Sequence, residues 1–147
     1  MSRTALLVAF LALAAPAAAA RVVVADPMLT PGVRSIHVTQ GNLRSTICVR
    51  GYASTVRPPL SYTNALKLKQ MHQYGESGPP SNYEEDHLIS LELGGSPRSA
   101  RNLWPEPIER ARVVDKIENH LHAAVCDGTM TLRAAQREIA RVKHEAG

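Results

Sequence analysis

Apolar positions from Ile108 to Cys126 recur with the helical period. At about 100° per residue, Val114, Ile117, Leu121 and Val125 fall on one side, which predicts a helix over 108–126 with that side in the core. Asp127-Gly128 closes it. A last helix is expected from about Thr131 to His144, capped by Thr129 or Thr131. Ala65, Leu66, Leu68 and Met71 give a third helical set, entered after Pro58-Pro59, capped by Ser61 or Thr63 and stopped by Gly75. Elsewhere the pattern alternates. Ile47 and Val49 against Cys48 and Arg50 predict strands over 35–57, Leu88 to Leu93 reads as another, and Asn102-Leu103-Trp104 as a short one ended by Pro105 and Pro107. Residues 21–35, with two prolines, read as a loose arm. The expected class is α+β.

The leader MSRTALLVAFLALAAPAAAA stands apart from this pattern. Arg3, an apolar run from Ala5 to Ala15 and Ala18-Ala19-Ala20 follow the grammar of a secretory signal peptide cleaved after residue 20. Its apolar part is short of the ~20 residues a bilayer needs, and Pro16 sits near its end. One domain over 21–147 is therefore expected to be exported, periplasmic or secreted, without stable membrane association. Losing Arg3 lowers the formal charge from +4 to +3, a mild basic bias. Aromatics are only 4%, which argues against a base-stacking platform for single strands. Two cysteines are too few for a structural zinc site built from cysteines alone, which takes four. In an oxidising compartment Cys48 and Cys126, one per half of the chain, are expected to form a disulfide.

On the 108–126 helix Asp115, Asn119 and His122 cluster within roughly 60° beside the apolar face. Alone, that stripe is also what a solvated helix face looks like. The preceding stretch changes its weight. Asp86-His87, an aliphatic strand, Gly94-Gly95, a polar loop, then Asn102-Leu103 in RNLWPEP resembles the His-Asn-His (HNH) endonuclease family, whose ββα-metal site occupies one hairpin and one helix. The resemblance covers residues 83 to about 122, in a core of about 83–126, and the segment from Cys48 to Ile139 looks like small exported bacterial HNH-type proteins. It implies a ββα-metal core with a small N-terminal β segment and two additional helices.

The resemblance also implies roles. His87 becomes the general base, since an imidazole near its ordinary pKa takes a proton from water at neutral pH. Asp86 becomes a metal ligand, and Asn102 holds the hairpin loop against the strand. The family's helix ligand lies about nine to thirteen residues after the central Asn. Here the nearer position is Ala111, which cannot ligate, and the farther is Asp115, which can. Asn119 is the second choice and His122 an outside candidate. Such oxygen donors imply one divalent ion, Mg2+ or Mn2+ rather than Zn2+, and a nucleic acid substrate, DNA or RNA. Ser90 stands where relatives often have Pro, and no CxxC pair braces the motif, so packing or the disulfide must.

Adjacent residues of a regular strand face opposite ways, so Asp86 and His87 are expected at a strand entrance or on a bulge. Trp104 reads as a core anchor, His37, His72 and His144 as surface or core residues, and His120 falls opposite the stripe. Arg50, Arg57, Lys67 and Lys69 form either a phosphate-facing patch or scattered surface charge, and Glu84 and Glu85 would repel a phosphate unless a cation intervenes. The alternative, from a different class, is a non-catalytic exported binding or structural module that retains the scaffold.

Overall fold

Two short antiparallel strands carry the middle of the fold, with helices packed on them. The computed structural model describes residues 23–145; the expected leader over 1–20 lies outside them. In chain order the elements are α1 (Tyr52–Val56), α2 (Leu60–Tyr74), β1 (Tyr83–His87), β2 (Leu103–Pro107), α3 (Ile108–Cys126) and α4 (Leu132–His144). The class is α+β. The register is continuous from Tyr83 opposite Pro107 to His87 opposite Leu103. Asp86 and Glu106 turn toward α3 and α4, meeting Glu118 and Lys143. Glu85, on the other face, lies beside Lys67 of α2.

Helices α3 and α4 run as their apolar periods require, and Thr131 caps α4 by accepting from the Ala134 N–H at 3.2 Å. Val114, Leu121 and Val125 join Val38, Leu43, Ile47, Ile89, Leu93, Leu132, Ala135 and Ile139 in the main core. Ile117 packs at its margin. Trp104 is fully buried with Ala25 and Leu88, its ring 6.0 Å from that of Tyr74.

Four expectations need correction. The N-terminal β segment over 35–57 is instead a 3-10 turn over Gln40–Ser45 followed by α1, and the only pairing near it among the described residues is one bridge from Arg34 to Gly95. The spacing that matters is Leu43 to Ile47, both buried four residues apart, whereas Val49 is 46% exposed. The strand at 88–93 is also displaced. Pairing runs through the polar residues 83–87, and Leu91–Leu93 form a 3-10 turn. The second strand continues through Pro105 and Pro107 rather than ending at them. Both strands of a two-stranded sheet are edges, and these prolines, two residues apart, share the side where no N–H is needed. Finally, α2 starts at Leu60 behind Pro59, with Ser61 and Thr63 inside it, because Pro58-Pro59 already sets the entry.

No helix among the described residues is long and apolar enough to cross a membrane. Cys48 and Cys126 are disulfide-bonded with Cα atoms 5.6 Å apart, closing a separation of 78 residues and tying the segment before α1 to the end of α3. On the chain-entropy model that loop stabilises the fold by about 4 kcal/mol. The double variant Cys48→Ala, Cys126→Ala should lower the urea midpoint accordingly; an unchanged midpoint would contradict this.

Candidate functional site

The site is built around one buried amide. Asn102, between a short 3-10 turn and β2, accepts from the Val33 and Ile89 N–H groups at 3.1 and 3.0 Å. Its Nδ2 donates to the Ile89 and Ser96 carbonyls at 3.1 and 3.0 Å. Both backbone groups of Ile89 are thus taken by a side chain, so the ladder stops after the Leu88 N–H donates to the Asn102 carbonyl at 2.8 Å. The loop folds back on this clamp only because residue 95 is glycine. A Cβ there would lie 1.7 Å from the Ile89 carbonyl oxygen.

Asp86 and His87 therefore sit at the exit of β1, on a regular register, rather than at its entrance or on a bulge. They point to opposite faces but still border one cavity, because the chain turns away directly after them. His87 is 2% exposed, and its Nε2 lies 3.0 Å from the Pro97 carbonyl. A carbonyl can only accept, so Nε2 carries the hydrogen and Nδ1 keeps its lone pair. Burial pushes the imidazole pKa below its ordinary value, against the opposing pull of the Pro97 bond and Asp86. The ring is neutral at pH 7.

The cavity measures about 230 Å³ and is lined by Asp86, His87, Asp115, Glu118, Asn119 and Arg57 among others. It thus gathers the strand pair and both preferred helix candidates. A larger cleft of about 710 Å³, between the N-terminal arm and the start of α4, has neither an acid nor an imidazole in its described lining. His122 is elsewhere. Its Nε2 lies 2.8 Å from the Ile47 carbonyl, beside the disulfide. Cys48, His122 and Cys126 are the only three His, Cys, Asp or Glu side chains among the described residues with donor atoms all within 4.8 Å, and the two sulfurs are spent on each other. The acids around the cavity are not drawn together that tightly. Their chemistry nonetheless fits a hard cation: Asp86 from β1 and Asp115 from α3 offer carboxylate oxygens, and Asn119 of α3 an amide oxygen, to the same cavity.

Four charged residues in or beside the cavity escaped the sequence reading: Lys143, Glu106, Glu118 and Arg110. Lys143 of α4 is 1% exposed; its ammonium pairs with Asp86, lies 2.6 Å from Glu118 Oε1 and 3.6 Å from Glu106 Oε2, and donates to the His87 carbonyl at 2.8 Å. Arg110 Nε lies 3.3 Å from Glu106 Oε1. Burial works against ionising Asp86, but Lys143 overrides it and holds this carboxyl below its usual value. Burial wins at the other two acids, raising Glu106 to about 9 and Glu118 to about 7 against the Lys143 charge. Glu118 was legible three positions after Asp115. Lys143 continues the buried Leu132, Ala135, Ile139 stripe of α4, and a lysine at a core position is itself a signal.

Of the basic residues considered together, only Arg57 reaches this cavity. Arg50 borders a different cleft, and Lys67 donates to the Pro80 and Tyr83 carbonyls. Glu84 feels Asp86 and Asp115, while Glu85 is half-buried on the α2 side, its enclosed carboxyl raised to about 8 by burial. His144 lies with Nε2 2.9 Å from the Thr30 carbonyl, and His37 and His72 are exposed. Compared with family models, curated proteins and solved structures, the chain matches none.

Asn102→Ala should leave four backbone groups without their partner, two of them buried at Ile89 and two part-buried at Val33 and Ser96. At roughly 1–3 kcal/mol for each unsatisfied group, a loss of at least about 3 kcal/mol in urea unfolding is expected, and one under about 1 kcal/mol would contradict the clamp. A second prediction concerns pH. Glu106 and Glu85 keep their protons to about 9 and about 8 when folded, whereas in the unfolded chain they release them near pH 4–5. The folded state then binds more protons, so stability falls as pH rises from 7 to 9. Glu106→Gln should flatten this slope in thermal melts across that window; an unchanged slope would refute the assignment.

Proposed function

We propose that this chain is an exported, metal-dependent nuclease of the HNH type, with β1, β2 and α3 as its ββα-metal core, hydrolysing DNA or RNA phosphodiesters. The observation that carries the reading is a neutral imidazole, held at Nε2 by the Pro97 carbonyl, bordering the same cavity as Asp86, Asp115 and Asn119. The leader pattern and the disulfide support export.

The roles follow from what each group can do. His87 Nδ1 takes the proton of the attacking water, and the Pro97 carbonyl stabilises the imidazolium that results by accepting from Nε2. Asn102 keeps that carbonyl and the strand end in place through the loop it clamps. Arg57, on the cavity wall, pairs with a phosphate oxygen and offsets the surrounding acids. Asp86, Asp115 and Asn119 would hold one divalent ion, Mg2+ or Mn2+. When bound, it supplies charge stabilisation at the phosphate and the leaving oxygen. A second reading, a non-catalytic binding module, draws on one specific observation: the Asp86 carboxylate already has a cation, Lys143.

A plasmid-nicking assay with the mature protein separates the two. Nicking should require Mg2+ or Mn2+. His87→Ala should reduce it at least about 100-fold, the usual size of a general-base contribution, while leaving Mn2+ binding by the folded protein nearly unchanged and lowering the melting temperature as truncation of a buried side chain does. Asp115→Ala should weaken metal affinity and be partly rescued by excess Mn2+. Nicking that survives His87→Ala would remove the proposed base. No nicking under any metal would favour the binding module.

A further inference from the structure

The acids below the cavity already hold a cation that the chain itself supplies. Lys143 lies on the buried stripe of α4, and its ammonium contacts Asp86 and Glu118, two residues that also line the cavity. It also donates to the carbonyl of His87, so one group holds both the carboxylate and the backbone of the Asp-His pair. Its placement is fixed from outside. Arg110 Nη2 donates to the Val142 and Lys143 carbonyls at 2.6 and 3.3 Å, and the Ala25 N–H donates to the Lys143 carbonyl at 3.0 Å. These bonds anchor the backbone from which the ammonium reaches the cluster.

We propose that Lys143 is the resident counter-ion of the cation site: it orients Asp86 whether or not a divalent ion is bound, and it lowers the affinity for that ion. This rests on the metal reading above. An ion ligated by Asp86 shares its carboxylate with a fixed ammonium, and two cations on one carboxylate repel each other across a poorly solvated gap. The carboxylate is also a weaker ligand while it is ion-paired. The divalent ion is then an exchangeable partner of the reaction rather than part of the fold.

The test is calorimetric titration of Mn2+ into the folded wild-type protein and into Lys143→Met, which keeps the length of the side chain and removes its charge. The variant should bind Mn2+ at least about tenfold more tightly, since a nearby like charge is gone, and Mn2+ should raise its melting temperature more than that of wild type. Equal or weaker affinity in Lys143→Met would overturn the counter-ion role and leave the metal reading standing. Absence of Mn2+ binding by both proteins would overturn the two together. Should Lys143→Met fail to fold, the double variant Lys143→Met, Glu118→Gln removes opposite charges at once. Set against Glu118→Gln alone, it should show the same tightening, and no tightening there is the contrary result.

Discussion

One buried amide sets the geometry from which the rest follows. Asn102 spends its full hydrogen-bonding capacity on the backbone of three other residues, Val33, Ile89 and Ser96. That ends β1 after His87, turns the chain at Leu88, and returns the loop so that the Pro97 carbonyl meets the imidazole. The close approach of Gly95 to the Ile89 carbonyl is the steric half of the same constraint. A regular strand would send Asp86 and His87 to opposite sides with no shared space. Placing them at its last two positions lets both border one cavity.

Electrostatics is the second constraint, and it works against burial. Asp86, Glu106 and Glu118 cluster beneath the cavity with Lys143 and Arg110. Removing so many charges from water costs several kcal/mol per ion unless they are paired or neutralised. The cluster does both: Asp86 stays ionised against Lys143, while Glu106 holds its proton well into the alkaline range. Under the proposed reading this arrangement keeps a ligand carboxylate charged and aimed, while His87 is kept neutral by its own burial. One partly buried region thus sustains opposite protonation states in neighbouring groups, as an acid–base site requires.

The sequence disclosed what local periodicity controls. Helix α3 has the predicted bounds 108–126, α4 has its threonine cap, and the two cysteines pair as expected. Where tertiary contacts decide, the pattern misled. Leu88 to Leu93 is apolar because it turns through the core, not because it pairs, and the true strand carries a part-buried acid because Asp86 pairs with Lys143 of α4, far along the chain. Four alternating residues around Ile47 were too few to outweigh the Leu43–Ile47 helical spacing. Residues 86, 87, 115 and 119 were legible as a group, and they border one cavity, while Asn102 was legible as the amide that holds the loop. Lys143 was not, since no motif contains it and only its place on a buried helix stripe gives it away.

The central claim is that the cavity holds a divalent ion against the Asp-His pair. Anomalous scattering from a crystal of the protein soaked in Mn2+ reads this directly. A single peak is expected in the cavity, about 2.0–2.6 Å from oxygens of Asp86 and of Asp115 or Asn119. At saturating Mn2+, a cavity without a peak, or a peak confined to other acids of the surface, would contradict it.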